Sequence, residues 1–139
     1  MEINWQKIED KKYMQMLSSY VSKNNLHSHI KFESAVTWEN LPRIYNGYAM
    51  CLNLTDSGSF DKTIVEAAAC GAVPIVSNVS LTGLLPEICI TKTSPSAIAE
   101  SIQRLFDSNQ QVEIQQKLKD FAESQSLEKL INRLIDELK

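Results

Sequence analysis

The stretch NLTDSGSFDKTIVEAAACGAVPIVSN, residues 53–78, constrains the fold of this chain more than any other. It joins a loop of small residues, Thr55-Asp56-Ser57-Gly58-Ser59, to an Ala-rich helix predicted from about Lys62 to Cys70 and stopped by Gly71. A short apolar strand through Pro74, Ile75 and Val76 follows. Just before the loop, Tyr48–Leu54 is nearly continuous apolar chain, which suits a strand of a parallel sheet covered on both faces. Strand, loop, helix and strand in this order make a parallel crossover unit. In open parallel sheets ligands bind outside the carboxyl ends of the strands. The loop 55–61 leaves such an end and feeds a helix, whose first N–H groups lack partners and whose dipole is positive there.

The remaining chain has room for a few more elements. Apolar positions Tyr13, Met14, Met16, Leu17, Tyr20 and Val21 recur at helical spacing, predicting a helix from about Trp5 to Lys23. Asn24-Asn25 is expected to close it, since Asn tolerates the left-handed conformation. Ile30-Lys31-Phe32 reads as a short strand. Thr37 is a candidate cap for a short helix with Trp38, Leu41, Ile44 and Tyr45 on its apolar face, and Asn40 stands where a capping box has Glu or Gln. After the loop 78–86, Ile88-Cys89-Ile90-Thr91 reads as another strand. Ser94 and Pro95 open a helix with Ile98, Ile102, Leu105 and Phe106 as its buried face. Two more helices are predicted, from about Gln110 to Glu123 with Val112, Ile114, Leu118 and Phe121 inward, and from Leu127 to Leu138. The fold class is α/β, a Rossmann-like parallel sheet flanked by helices. The 139 residues are expected to form one domain, with a helical tail over 110–139.

Composition excludes several partners. Net charge is -3, with acids and bases interspersed, which argues against nucleic acid as the main ligand. The three cysteines, Cys51, Cys70 and Cys89, form no CxxC pair and sit in apolar surroundings, so buried free thiols in a reducing compartment are expected. His27 and His29 have no Cys or carboxylate cluster beside them, and surface positions suit them better than a metal site. No apolar run reaches the ~18–20 residues of a membrane span. The polar start MEINWQKIED does not read as a signal peptide. The expected location is cytoplasmic, with membrane contact peripheral at most.

In the central stretch, Ser57, Gly58 and Ser59 are small enough for backbone N–H groups to approach phosphate oxygens. Asp61 is expected to cap the helix. Glu66 falls one turn after Lys62 on the same face, and its carboxylate is able to accept two hydroxyl hydrogen bonds from a ribose. Each feature also has a plain structural alternative. Lys62 and Glu66 at i,i+4 would make an ordinary surface pair worth a few tenths of a kcal/mol. Ala67, Ala68, Ala69 and Gly71 let a helix press closely on a sheet without any ligand. Neither GxGxxG nor a P-loop is present.

The run Gly58–Asn78 resembles the signature of the retaining GT-B glycosyltransferases, the group 1 family. There a loop precedes Glu-Ala-x-Ala-x-Gly-x-Pro-Val inside the C-terminal nucleotide-sugar-binding domain. Ile30-Lys31-Phe32, followed by Leu41-Pro42-Arg43-Ile44-Tyr45, is similar to that family's strand and LPxxY helix, and the closing helices resemble its tail. The likeness runs from about Tyr13 onward. It implies that Glu66 bonds the donor ribose and that Gly58, Ser59, Phe60, Asp61, Lys62, Thr63 and Ile64 meet the donor sugar and diphosphate. It also implies that Ala35 and Val36 lie near the base. No cofactor and no metal in this domain are implied.

The family usually pairs two glutamates eight residues apart, and Gly58 occupies the earlier position here. A subgroup carries Gly-Ser-x-Asp-Lys instead, which Gly58–Lys62 fits, with Asp61 or Lys62 as candidates for the polar role. The family's N-terminal acceptor domain and the first βα unit of this domain are not represented. The expected function is therefore the donor nucleotide-sugar-binding portion of a hexosyl-type transferase acting on a glycan or lipid-linked acceptor, inactive alone and joined by a missing acceptor domain or partner chain. The alternative is a non-catalytic docking or self-associating module of the same fold, with a homodimer through an exposed sheet edge. A flavodoxin-like receiver fits less well, because no acidic cluster precedes Asp56.

Overall fold

The structure, a computed structural model, describes residues 8–55 and 61–138. The chain forms two compact units, Met1–Ala35 and Val36–Lys139. The first contains helix α1, Ile8–Lys23; the predicted start at Trp5 lies outside the described residues. α1 ends as its Asn pair dictates. Asn25 adopts φ 55°, the Leu26 N–H reaches back to the Val21 carbonyl at 2.9 Å, and the Asn25 N–H reaches Ser22 at 3.2 Å. This is a Schellman closure, with Val21 buried beneath it.

Ile30-Lys31-Phe32 is not a strand in this structure. The backbone from 30 to 37 is irregular, and Ile30 and Phe32 are exposed. The described part of that unit holds no strand to pair with, and an unpaired strand leaves its backbone groups to water.

The second unit carries the remaining elements. Trp38–Asn40 is a 3₁₀ turn leading into the five-residue helix α2, Leu41–Tyr45. Thr37 holds the N-cap position without capping; its hydroxyl instead accepts from the Asn40 amide at 3.1 Å. Leu41, Ile44 and Tyr45 are half-buried, but Trp38 is 76% exposed and leaves the apolar face assigned to it.

Strand β1, Met50–Asn53, pairs in parallel with β2, Val73–Val76, with Met50 opposite Val73 and Asn53 opposite Val76. The Val73 and Ser77 N–H groups donate to Ala49 and Asn53. The odd-numbered amides of β2 therefore face β1, and the missing N–H of Pro74 falls on the other side, where no ladder bond is lost. β2 is wholly buried. β1 is not covered on both faces as its apolar run suggests, since Leu52 is 47% exposed.

Between the strands runs helix α3, Lys62–Ala69. Gly71 closes it at φ 85°, with Ala72 N–H bonded to Ala67 at 3.0 Å and Gly71 N–H to Ala68 at 3.2 Å. Ile64, Ala67 and Ala68 face inward. Their small volume lets α3 pack against both strands and helix α5, Gln111–Ser124.

The predicted strand at 88–91 is largely a 3₁₀ turn, Glu87–Cys89, with Ile90 bridging Val76 as a single parallel pair. The Cys89 and Ile90 amides donate locally to Pro86 and Glu87, which leaves Thr91 N–H to reach Val76 at 2.8 Å. The architecture is α/β, with a parallel sheet of two strands among the described residues.

Helix α4, Pro95–Asp107, starts under the Ser94 cap. The core combines Ile64, Val73, Ile75, Leu81, Leu118 and Phe121 with their neighbours. Ile114, Leu118 and Phe121 form the inward stripe of α5, but Val112, rotated off that stripe, is 85% exposed, and so is most of Phe106 on α4. Helix α6, Leu127–Glu137, has no buried residue.

Candidate functional site

The residues singled out around α3 gather at the carboxyl end of β1. Asn53, the last residue of β1 and the one strongly polar side chain in the run 48–54, is the hub. Its amide donates to Asp61 Oδ2 at 2.6 Å and to Thr63 Oγ1 at 3.0 Å. Its Oδ1 accepts from the Thr55 hydroxyl at 2.7 Å and the Thr55 N–H at 3.3 Å. Asp61 in turn caps α3. Its Oδ1 accepts from the Thr63 N–H at 3.0 Å and the Thr63 hydroxyl at 2.9 Å. These bonds, the one from Asn53 foremost, hold the Asp61 carboxyl below its usual range. Ser77, after β2, closes the ring with its N–H on the Asn53 carbonyl and its hydroxyl on the Thr55 carbonyl at 3.5 Å.

Three consequences follow for ligand chemistry. Asp61 already accepts from three donors, the Asn53 amide, the Thr63 N–H and the Thr63 hydroxyl, and these bonds fix the start of α3. The Ile64 side chain is buried in the core, and its N–H donates to the Asp61 carbonyl at 3.1 Å; only its backbone borders the site. Lys62 and Thr63 are exposed. Lys62 and Glu66 form no ion pair with each other: the pair observed among the described residues is Lys117–Glu113 at 2.8 Å.

Glu66 is half-buried on the flank of α3 that faces Tyr45 of α2. Burial pushes the Tyr45 phenol above its usual range, and the charges of Cys51, Glu66 and Asp61 add to that effect. Burial raises the Cys51 thiol as well, with Asp61 contributing. Cys89 is pushed up to about 12 by burial alone, so it is an inert core thiol. All three cysteines are free.

Of the other residues expected at a binding site, Gly58, Ser59 and Phe60 lie outside the described residues. Ala35 ends the first compact unit, and Val36, 45% exposed, begins the second. Asn53, Tyr45 and Ser77 were not singled out by sequence reasoning. Asn53 had a legible signal, a lone amide ending an apolar run eight residues before a capping Asp. Tyr45 had its apolar spacing and its place as the last residue of the LPxxY run 41–45, neither of which marked it as facing Glu66.

Two grooves open elsewhere. One, of about 800 Å³, lies at the amino ends of the strands between Met50, Gly71, Phe106 and Gln115. The other, of about 860 Å³, lies between the loop at Thr82–Glu87 and the helices bearing Arg104 and Lys117. Neither is lined by Asp61, Lys62 or Glu66. Among the described residues no helix is long and apolar enough to cross a membrane.

Comparison with known proteins bears on the whole of this arrangement. No curated protein and no solved structure matches the chain. A family model described as glycosyl transferase-like matches residues 6–136, a span that runs from α1 into α6 and takes in β1, α3 and β2. With nearly its full length inside that match, the chain belongs to the glycosyl transferase-like family.

Proposed function

We propose that this chain holds the nucleotide-sugar donor of a glycosyl transfer reaction, as the C-terminal donor-binding portion of a retaining GT-B enzyme. The observation that carries this reading is Glu66. It is a half-buried carboxylate with no partner among the described residues, one turn inside a helix that starts at the carboxyl end of a parallel strand. A carboxylate partly removed from water is stabilised by donors, and the two adjacent hydroxyls of a ribose supply them. Lys62, exposed at the start of α3, is suited to the diphosphate that leaves in the reaction. Fixed dipoles and cations at the departing oxygens are the means by which such a site lowers a barrier. As the one cation on α3, Lys62 leaves most of the diphosphate charge unmatched, so the chain alone is expected to bind donor without transferring sugar.

The test is a titration of the chain with a nucleoside diphosphate and its sugar conjugate, followed by backbone amide shifts. Shifts confined to α3 and the end of β1 are expected. Glu66→Gln should weaken binding about tenfold or more, in keeping with loss of hydrogen bonds to a charged acceptor. A 2′,3′-dideoxy analogue should lose as much. Absence of any shift at millimolar ligand would remove the proposal.

A second reading, a docking or self-associating module, draws on the open face at the end of β1, where Leu52, and Leu54 just after the strand, are exposed. A dimer indifferent to nucleotide and abolished by Leu52→Glu would favour it.

A further inference from the structure

Helix α3 turns different sides to its neighbours. Ile64, Ala67 and Ala68 are buried, and Val65 and Ala68 pack with the core that α5 completes. Thr63, Glu66 and Cys70, spaced three and four residues apart, share another flank. Thr63 fixes where that flank looks, because its hydroxyl accepts from the Asn53 amide of β1 at 3.0 Å. Helix α2 packs against α3 as well, and Tyr45, its last residue, is half-buried there. Burial foremost, then Cys51, Glu66, Asp61 and Cys70, hold the Tyr45 phenol above its usual range, so at neutral pH it keeps its proton and is a donor. Among the described residues neither the Tyr45 hydroxyl nor the Glu66 carboxylate makes a hydrogen bond.

We infer that Tyr45 is a specificity-determining residue of the donor site, its phenol O–H donating to the same ribose hydroxyl that donates to Glu66. The inference rests on the reading of Glu66 as the ribose acceptor. Chemistry selects Tyr45 for the part. A hydroxyl has one proton to give and lone pairs to receive. Once its proton lies on Glu66, its oxygen calls for a donor, which a second carboxylate cannot supply. Asp61 is ruled out on that ground and already accepts from three donors. The Thr63 hydroxyl is committed in both directions, donating to Asp61 and accepting from Asn53. The thiols of Cys51 and Cys70 are weak donors. That leaves the phenol on this flank, a neutral donor beside an acceptor that has no donor of its own. A deoxy sugar lacks the bridging oxygen and leaves both groups unpaired, and a site built to bond a hydroxyl discriminates against the analogue without it.

Calorimetric titration of the full chain with ADP, GDP and UDP tests this, the tightest of the three being compared with its 2′-deoxy and 3′-deoxy forms. Tyr45→Phe removes one oxygen and should weaken the parent nucleotide about three- to tenfold, as the loss of one hydrogen bond does. For one of the two deoxy forms the same substitution should change nothing, because that analogue lacks the oxygen Tyr45 addresses. A residue that only packs would not tell the analogues apart. An equal loss with all three ligands, or no loss with the parent, would overturn the inference. If Glu66→Gln weakens the parent and Tyr45→Phe does not, this inference falls and the donor-binding reading stands. If none of the three nucleotides binds at millimolar concentration, both fall.

Discussion

At the scale of single residues, Asn53 and Asp61 share one task, fixing where the loop ends and α3 begins. Asp61 supplies the cap, and Asn53 supplies the donor that holds the cap in place at 2.6 Å. Asp61→Ala should therefore cost about 1 kcal/mol of stability, with Asp61→Ser costing less because a hydroxyl still caps; urea unfolding checks both. The pH dependence follows from the direction of the shift. The folded-state carboxyl lies below its ordinary value of 3.8. Its contribution is thus complete above about pH 4 and is lost as pH falls through the folded-state value. The stability gap between the natural chain and Asp61→Ser should be constant from pH 7 to pH 5 and shrink towards pH 2. Glu66 behaves differently. With no partner to lose, Glu66→Gln should change stability by no more than about 0.5 kcal/mol while weakening nucleotide binding, a separation that thermal melts and titrations together resolve.

At the scale of elements, the two helices with a left-handed closing residue show how little sequence a helix end needs. Asn25 and Gly71 both sit at positive φ, and both are followed by an amide that bonds back into the last turn. At Gly71 an added Cβ would find its nearest neighbour, Gln115 Oε1, 4.0 Å away. Space is not what glycine provides there. Gly71→Ala should cost about 1–2 kcal/mol through backbone strain alone, and Gly71→Asn less, as denaturant midpoints would show. The strand elements were harder to read. Both Ile30–Phe32 and Ile88–Thr91 have apolar, β-branched or aromatic chain of strand length. A strand exists only with a neighbour, and for 88–91 the local 3₁₀ bonds to Pro86 and Glu87 leave one bridge to Val76.

At the scale of the molecule, the second unit is built around α3 and β2, with α5 laid across them. Leu118 is fully buried at the centre of that contact, and Val112, six residues earlier on the same helix, is 85% exposed. Leu118→Ala should destabilise by about 2–5 kcal/mol, and Val112→Ala by less than about 0.5 kcal/mol, a contrast measurable in one set of unfolding curves. The same unit leaves two kinds of apolar surface open, the face of β1 at Leu52 and the face of α6. Exposed patches of this kind mark surfaces that associate.

Local order along the chain was enough to determine the helix from Lys62, its Asp61 cap, its Gly71 stop, the buried strand through Val76 and the Ser94 cap of α4. In each case the cause lies within a few residues: a side chain that reaches its own helix's amides, a backbone that only certain residues adopt, or an apolar period. Family membership was likewise legible, in Gly58–Asn78. Tertiary structure alone decided which apolar faces found a partner, so that Trp38, Phe106, Val112 and all of α6 lie open despite helical spacing as regular as that of Leu118. It also decided that Asn53, eight residues from Asp61, would hold the cap and that Tyr45 would face Glu66. Spacing states which side of an element is apolar; what lies against that side depends on residues far away in the chain.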